Sequence, residues 1–327
     1  MSSTNPPAIS PLRFLKSPQG WLYALWKFSR PHTIIGTSLS VVSLFLIVLQ
    51  GFFTPIQGAA LPGTAGMLWL LVSVWIACLG GNVYIVGLNQ LEDVDIDRIN
   101  KPHLPLASGE FSRRQAYTII VVAAAIALGL ALTQGRFLTA TIVTSLLIGT
   151  AYSLPPMRLK RFPFWASFCI LAVRGGVVNL GLFLHFSDRL GTGLTIPPKI
   201  WALTAFIVVF SIVIAIFKDI PDLEGDRRYN ITTFTVKLGQ TAVFNLARLT
   251  LTGCYLAFAI AAPFLSGLNL WIMAIYHLSA ICGFWWLSRR VSFSKPAPGS
   301  SYRDFYQFIW KLFFLEYLMF PLACWLG

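Results

Sequence analysis

Lys199-Ile-Trp-Ala-Leu-Thr-Ala-Phe-Ile-Val-Val-Phe-Ser-Ile-Val-Ile-Ala-Ile-Phe217 runs without a break into Lys218-Asp219-Ile-Pro221-Asp222-Leu-Glu224-Gly-Asp226-Arg227. After Lys199 come about 18 residues with no charge, apolar on every side, enough to cross a bilayer as a helix. A strand would alternate apolar and polar positions, and this run does not. The charges then arrive together at one end. Similar runs lie at about 34–53, 66–88, 116–133, 137–153, 163–186, 241–263, 268–287 and 305–326. With 199–217 they predict an all-α, polytopic membrane protein of about nine transmembrane helices. The runs at 116–133 and 137–153 are the shortest and are parted only by the Thr133–Arg136 turn, so eight is the alternative count.

Composition agrees. The 327 residues are 56% hydrophobic and only 11% charged, against about 25% charged in soluble domains. That excludes a disordered chain, a disulfide mini-protein and an ordinary cytosolic enzyme. The net charge of +13 could point to nucleic acid, but the basic residues form no dense block. They come in threes and fours between apolar runs, so no nucleic-acid partner is expected. The five cysteines lie inside apolar runs without any CxxC pair, which argues against disulfides and zinc.

Charge placement sets the expected orientation. With nine spans, one face carries Arg13, Lys16, Lys27 and Arg30; Arg98, Lys101, Arg113 and Arg114; and Arg158, Lys160 and Arg161. The same face adds Lys218, Arg227, Arg228 and Lys237, then Arg289, Arg290, Lys295 and Arg303. The opposite face has Arg136, Arg189 and Lys199. By the positive-inside rule the N-terminus is cytoplasmic and the C-terminus lies opposite. Residues 1–33 form an N-terminal cytoplasmic segment and 34–327 a single membrane domain. The segment lacks the short apolar stretch behind a basic start that marks a signal peptide, and it is short and Arg-poor for an organelle transit peptide.

The acids are concentrated in two places. Asn89-Gln-Leu-Glu92-Asp93-Val-Asp95-Ile-Asp97-Arg98 follows the second run, and the Asp219–Asp226 segment follows the sixth. Four spans separate them, as in a loose duplication of a four-helix unit. Asn89, Asp93 and Asp97, at i, i+4 and i+8, make one stripe on a helix continuing out of the membrane. Asp219, Asp222 and Asp226 make a second stripe, interrupted by Pro221. Stacked like charges repel, so a cation should offset them. Carboxylates suit Mg²⁺, which is commonly completed by substrate phosphates. Lys101, Arg158, Lys160, Arg161, Lys218, Arg227 and Arg228 are placed to neutralise a diphosphate. Solvated helix ends would not explain a second cluster at an equivalent topological position.

These paired motifs and the nine runs resemble the UbiA superfamily of intramembrane prenyltransferases, from about residue 27 to the end. A finer resemblance, to the branch acting on homogentisate in tocopherol synthesis, rests on three further stretches. They are Trp26-Lys-Phe-Ser-Arg30-Pro31-His32-Thr33-Ile-Ile-Gly-Thr37, the extension of the first motif to Ile99-Asn100-Lys101-Pro102, and Tyr152-Ser-Leu-Pro155-Pro156-Met-Arg158-Leu-Lys160-Arg161. A chlorophyll synthase would be expected to carry Asn-Asp where this chain has Asn89-Gln90. Without a long transit region the chain resembles a cyanobacterial version, in a plasma or thylakoid membrane.

The resemblance implies helices around a central cavity open to the cytoplasmic side and to lipid. It implies Asn89, Asp93 and Asp97 on one Mg²⁺, Asp222 and Asp226 on another, and Asp219 assisting. Lys101, Arg158, Lys160, Arg161, Lys218 and Arg227 would bind the diphosphate. The implied substrates are phytyl diphosphate and homogentisate, with loss of CO₂, and membrane lipid is the surrounding partner. Geranylgeranyl and solanesyl donors remain open, as does oligomeric state. Aromatic faces would stabilise the allylic cation. Arg30 and His32 lie in a matched segment, so both are candidates on the acceptor side. Arg174 lies about 16 Å into its span, where a cation needs a partner. It either meets the acceptor's carboxylate, with Asn179 nearby, or pairs with Glu316, which lies at equal depth. His103, His185 and His277 lack metal-ligand spacing. A secondary transporter is the rival of a different class, but its acids should sit near mid-membrane.

Overall fold

The computed structural model describes residues 17–53, 63–228, 233–291, 293 and 301–327. Residues 1–16, most of the expected N-terminal segment with Arg13 and Lys16, lie outside it, as does Lys295. Every regular element among the described residues is helical. Helix α1 (Pro18–Phe28) starts where the Ser17 hydroxyl accepts from the Gly20 amide and Pro18 needs no donor partner. Helices α2 (Pro31–Phe53), α3 (Thr64–Glu92), the short α4 (Val94–Asn100), α5 (Arg113–Gln134) and α6 (Arg136–Ser153) follow. Helix α7 (Pro163–Leu171) passes through a π-helical segment, Ala172–Val177, into α8 (Val178–Leu190). Then come α9 (Pro198–Asp219), α10 (Leu223–Arg228), α11 (Phe234–Leu238), α12 (Gln240–Ala261), α13 (Leu270–Ser288) and α14 (Ser301–Trp325).

Eight helical segments among the described residues are long and apolar enough to cross a membrane. They coincide with eight of the nine expected runs. The ninth, 137–153, is helical as α6 but is not among the eight. Its 18 residues include Thr139, Thr141, Thr144, Ser145, Thr150 and Ser153, which lower its hydropathy. Several of these hydroxyls face inward. Thr141, Ser145 and Ser153 are buried, and Thr141 and Thr150 each donate to the carbonyl four residues back at 2.7 Å.

The long helices form a closed ring of neighbours. Helix α2 packs on α3, α3 on α6, α6 on α8, and the π segment on α9. Beyond that, α9 packs on α12, α12 on α13, α13 on α14, and α14 returns to α2. Helix α5 lies against α3 and α6, and α3 with α5 is the most extensive contact in the molecule. The outer face is apolar, with Phe264 83% and Trp271 78% exposed. Apolar surface of that extent calls for lipid instead of water. The protein is an integral membrane protein.

The acid stripes fold largely as their spacing predicts, with one difference. The first stripe does not ride on one continuous helix, because α3 ends at Glu92 and α4 begins at Val94. Asp93 at the junction leaves helical geometry (φ −107°, ψ 18°). The Asp93 amide still donates to Asn89 O at 3.0 Å and the Asp97 amide to Asp93 O at 2.7 Å. The turn is therefore bent while its register survives. In the second motif Pro221 lies in the turn between α9 and α10, as expected. Helices α4 and α10 then pack on each other, which closes the two motifs over one end of the ring.

Candidate active site

The ends of α3 and α9 define a cavity capped by α4 and the turn before α10. Its walls carry Arg30, Asn89, Asp93, Asp97, Lys101, Lys160, Lys218, Asp219 and Asp222. Two motifs separated by four spans thus meet in one place. The Lys101 ammonium, from the end of the first motif, pairs with Asp222 of the second. Asp93 is the hub of the other half. It accepts from the Asn89 side-chain amide at 2.9 Å and from Arg158 at 3.3 Å, and the Lys160 ammonium lies 2.7 Å from it. Arg30 reaches Asn89 Oδ1 at 3.5 Å, and Lys218 lies 3.3 Å from Asp219.

Burial tunes these charges. Asp97 is 5% exposed, and loss of water raises its carboxyl above the usual carboxylate range. Arg30 and Lys101 oppose that rise, while Asp93 and Asp222 add to it. Burial likewise draws the Lys160 ammonium down, with Asp93 pulling it back up. One Asp97 oxygen, Oδ2, is buried with no hydrogen-bond partner. A buried carboxylate oxygen without a donor, facing two further carboxylates, is an arrangement that a hard cation would satisfy. No set of three Asp, Glu, His or Cys groups is already gathered for a metal among the described residues. Asp93, Asp219 and Asp222 stand paired with lysines instead. The side chain of Asp226, expected to complete the second set, lies outside what the structure describes.

Other sequence candidates fall elsewhere. Arg161 and Arg227 are exposed and do not line the cavity. Asn179 is fully buried; its amide donates to Gly175 O at 2.8 Å and its oxygen accepts from the Tyr317 hydroxyl at 2.9 Å. The expected alternative pairing of Arg174 with Glu316 is not formed. Glu316 lies 3.4 Å from His277 Nε2, and the Arg174 guanidinium stacks 5.1 Å from the Trp310 ring centre and 5.7 Å from that of Phe313. His32 touches the same Trp310, with ring centres 4.5 Å apart.

Several lining groups are not marked out by the sequence reading, among them Tyr152, Asn100, Ser167 and Thr233. Tyr152 opens the quoted loop stretch and sits at the end of α6, which is a usable signal. Thr233 offers none, since it also caps α11 by accepting from the Val236 amide. A second feature is invisible in sequence. Arg30 and Arg158 are the only non-glycine residues with positive φ among those described, at 53° and 37°. Strained backbone of this kind persists where surrounding contacts dictate it, and commonly at functional sites. Gln90 supports Arg30 indirectly: fully buried, it donates to the Phe28 carbonyl at 2.6 Å.

Comparison with known proteins fits this architecture. Residues 44–312 match the UbiA prenyltransferase family. The homogentisate phytyltransferase of Synechocystis is 51% identical over 310 residues, covering 93% of this chain and 96% of the relative. The chloroplastic homogentisate solanesyltransferase of Arabidopsis thaliana is 35% identical over 307 residues, covering 91% and 76% respectively. A UbiA homologue from Archaeoglobus fulgidus, solved with GPP and Mg²⁺, shares the fold with a TM-score of 0.56 at 16% identity, covering 93% of this chain and all of its own. A closed helical ring, two acid motifs meeting at one end of it and a family match over most of the length lead to one conclusion. The chain belongs to the UbiA prenyltransferase family and is an integral membrane prenyltransferase.

Proposed function

We propose that this protein transfers a phytyl group from phytyl diphosphate to homogentisate, with loss of the acceptor's carboxyl as CO₂, in tocopherol synthesis. The observation that carries the reading is the junction of Asn89, Asp93, Asp97, Asp219 and Asp222 with Arg30, Lys101, Lys160 and Lys218 around one cavity. The 51% identity to a homogentisate phytyltransferase supports the acceptor and donor. The acid set fits Mg²⁺, with Asn89, Asp93 and Asp97 holding one ion and Asp222 and Asp226 another. When bound, the metal stabilises the charge that develops on departing diphosphate.

The chain's own residues do the rest. Lys101, Lys160, Arg158 and Lys218 bind the diphosphate oxygens once substrate displaces them from their carboxylate partners. The prenyl carbon–oxygen bond breaks with its electron pair on the diphosphate, the acceptor ring supplies the pair for the new carbon–carbon bond, and the substituted ring carbon gives up its proton. As the carboxylate leaves as CO₂, the pair of that broken bond stays on the benzylic carbon, which takes up a proton to become a methyl group. Ile170, Ala166 and Ala215 line the inner wall and keep water from the allylic cation. With α6 as a ninth span the N-terminus and the acid motifs share one face. The positive-inside charge supports reading that face as the cytoplasmic side of a cyanobacterial plasma or thylakoid membrane. A transporter is disfavoured because the acids stand at helix ends beside basic side chains.

Mass spectrometry after supplying homogentisate with phytyl, geranylgeranyl and solanesyl diphosphates in competition tests the proposal. A Mg²⁺-dependent, decarboxylated phytyl product is expected to dominate. A dominant product from another donor would reassign the branch, and no prenylated product at all would sink the reading. The basic groups make a separate prediction. Lys160→Ala should raise the KM for prenyl diphosphate about tenfold, the scale of one charge-assisted hydrogen bond, whereas exposed Arg161→Ala should change it less than about twofold. Initial rates against donor concentration measure both, and equal effects would show that loop charge, not the cavity contact, governs donor binding.

A further inference from the structure

We propose that Arg174, stacked between Trp310 and Phe313, takes the carboxylate of the aromatic acceptor and selects for an acidic one. This rests on the proposed homogentisate reaction and adds the group that recognises that substrate's acid end. Arg174 lies within the α7–α8 span, where a guanidinium is costly unless it is partnered or wet. Its two aromatic neighbours offset part of that cost. No Asp or Glu lies within ion-pair distance of it among the described residues. Glu316, the carboxylate at matching depth, is fully buried beside His277, and Phe206 stacks on the same imidazole. The protein therefore supplies the cation with aromatic faces and leaves its anion to a ligand.

The position connects to the donor site. Ile170, one turn before Arg174, lines the diphosphate cavity, and so does Arg30, two residues before His32. His32 and Arg174 share Trp310. Arg174 is thus about 6 Å deeper along the helix axis than the cavity wall at Ile170, a separation the size of one aromatic ring. An aromatic acid whose carboxylate meets Arg174 turns its ring toward the donor's reacting end.

Backbone features hold the guanidinium in place. Arg174 sits in the π segment Ala172–Val177, a geometry that occurs often at functional sites because it re-aims side chains. Gly175 presses that segment on α9; a Cβ there would lie 2.3 Å from Val208 Cγ2. Gly176, on the other side, has open space, with no atom within 4 Å of where a Cβ would stand. Asn179 ties Gly175 O to the Tyr317 hydroxyl through its own side chain. It is a positioning residue, fully buried between those two partners.

The test uses the full-length protein in lipid, with phytyl diphosphate as donor and homogentisate as acceptor. It compares the KM for homogentisate with the inhibition constant of its methyl ester, which has no carboxylate to lose and serves as a competing ligand. Wild type should favour the acid. Arg174→Met should raise the homogentisate KM about 10- to 100-fold, the range for losing charge-assisted hydrogen bonds, leave the donor KM within about twofold, and abolish the preference for acid over ester. Arg174→Lys keeps the charge but not the planar fork, and should lower that preference at least threefold; it carries the test if the Met variant does not fold. An unchanged acid-to-ester preference in either folded variant, or equal losses toward donor and acceptor, would overturn the assignment. Wild-type protein that makes no prenylated homogentisate would instead defeat the reaction proposed above.

Discussion

Asp93→Ala should lower turnover about a hundred- to a thousandfold at saturating Mg²⁺, the scale on which removing one preorganised electrostatic group at a reaction centre acts. Asp93 joins more of the cavity than any other acid, through Asn89, Arg158 and Lys160. Without it, two cations face each other with no intervening carboxylate, and Asn89 loses its acceptor. The packing loss is small, so the variant should insert and purify as a helical protein. Initial rates with circular dichroism and gel filtration separate activity from folding. Asp95→Ala is the control: Asp95 is exposed and paired with exposed Arg98, and its loss should cost less than about twofold. Near-wild-type turnover by the Asp93 variant would remove the acid set from the mechanism.

The second large effect concerns assembly of the ring that holds those acids. Gly80→Leu should destabilise the protein by at least about 2 kcal/mol, toward the upper end for overpacking. A Cβ at Gly80 would lie 2.7 Å from the Ala123 carbonyl oxygen and 3.3 Å from the Ala127 amide nitrogen of α5. Backbone atoms of a neighbouring helix cannot step aside as a side chain tip can, so α3 and α5 must separate. Small residues at such contacts let membrane helices approach and gain packing energy where no hydrophobic drive exists between them. The displaced α3 carries Asn89 and leads into Asp93, so activity should fall with stability. Gly129→Leu, exposed on α5 with nothing within 4 Å of its Cβ position, should leave stability within about 0.5 kcal/mol. Thermal unfolding of detergent-solubilised protein measures both; equal midpoints would show that α3 and α5 have slack the structure does not display.

The family was legible in the chain because its main constraint is local. Each bilayer crossing must satisfy its own backbone hydrogen bonds, so spans announce themselves as unbroken apolar runs. The α6 run shows where that signal thins. Its hydroxyls lower the hydropathy, although Thr141 and Thr150 bond back to their own helix and Thr141, Ser145 and Ser153 are buried. The acid motifs were legible for a similar reason: their spacing places Asn89, Asp93 and Asp97 on one face, and the bend at Asp93 keeps that register.

Partnership across the bundle was decided only by the tertiary structure. Depth in the membrane follows from counting residues at a fixed rise, so Arg174 and Glu316 could be placed at equal height from sequence. Rotation about each helix axis cannot be counted in that way. It depends on how neighbouring helices pack and, for Arg174, on a π segment that shifts the side chains around it. Hence Glu316 turned to His277 while Arg174 turned to Trp310 and Phe313. The same reason gave Lys160 to Asp93 and Lys101 to Asp222 and left Arg161 and Arg227 outside. Sequence by itself determined which residues carry charge and how far along the membrane normal they lie. Folding determined which of them face one another, because helix rotation is fixed by side-chain packing among segments far apart in the chain.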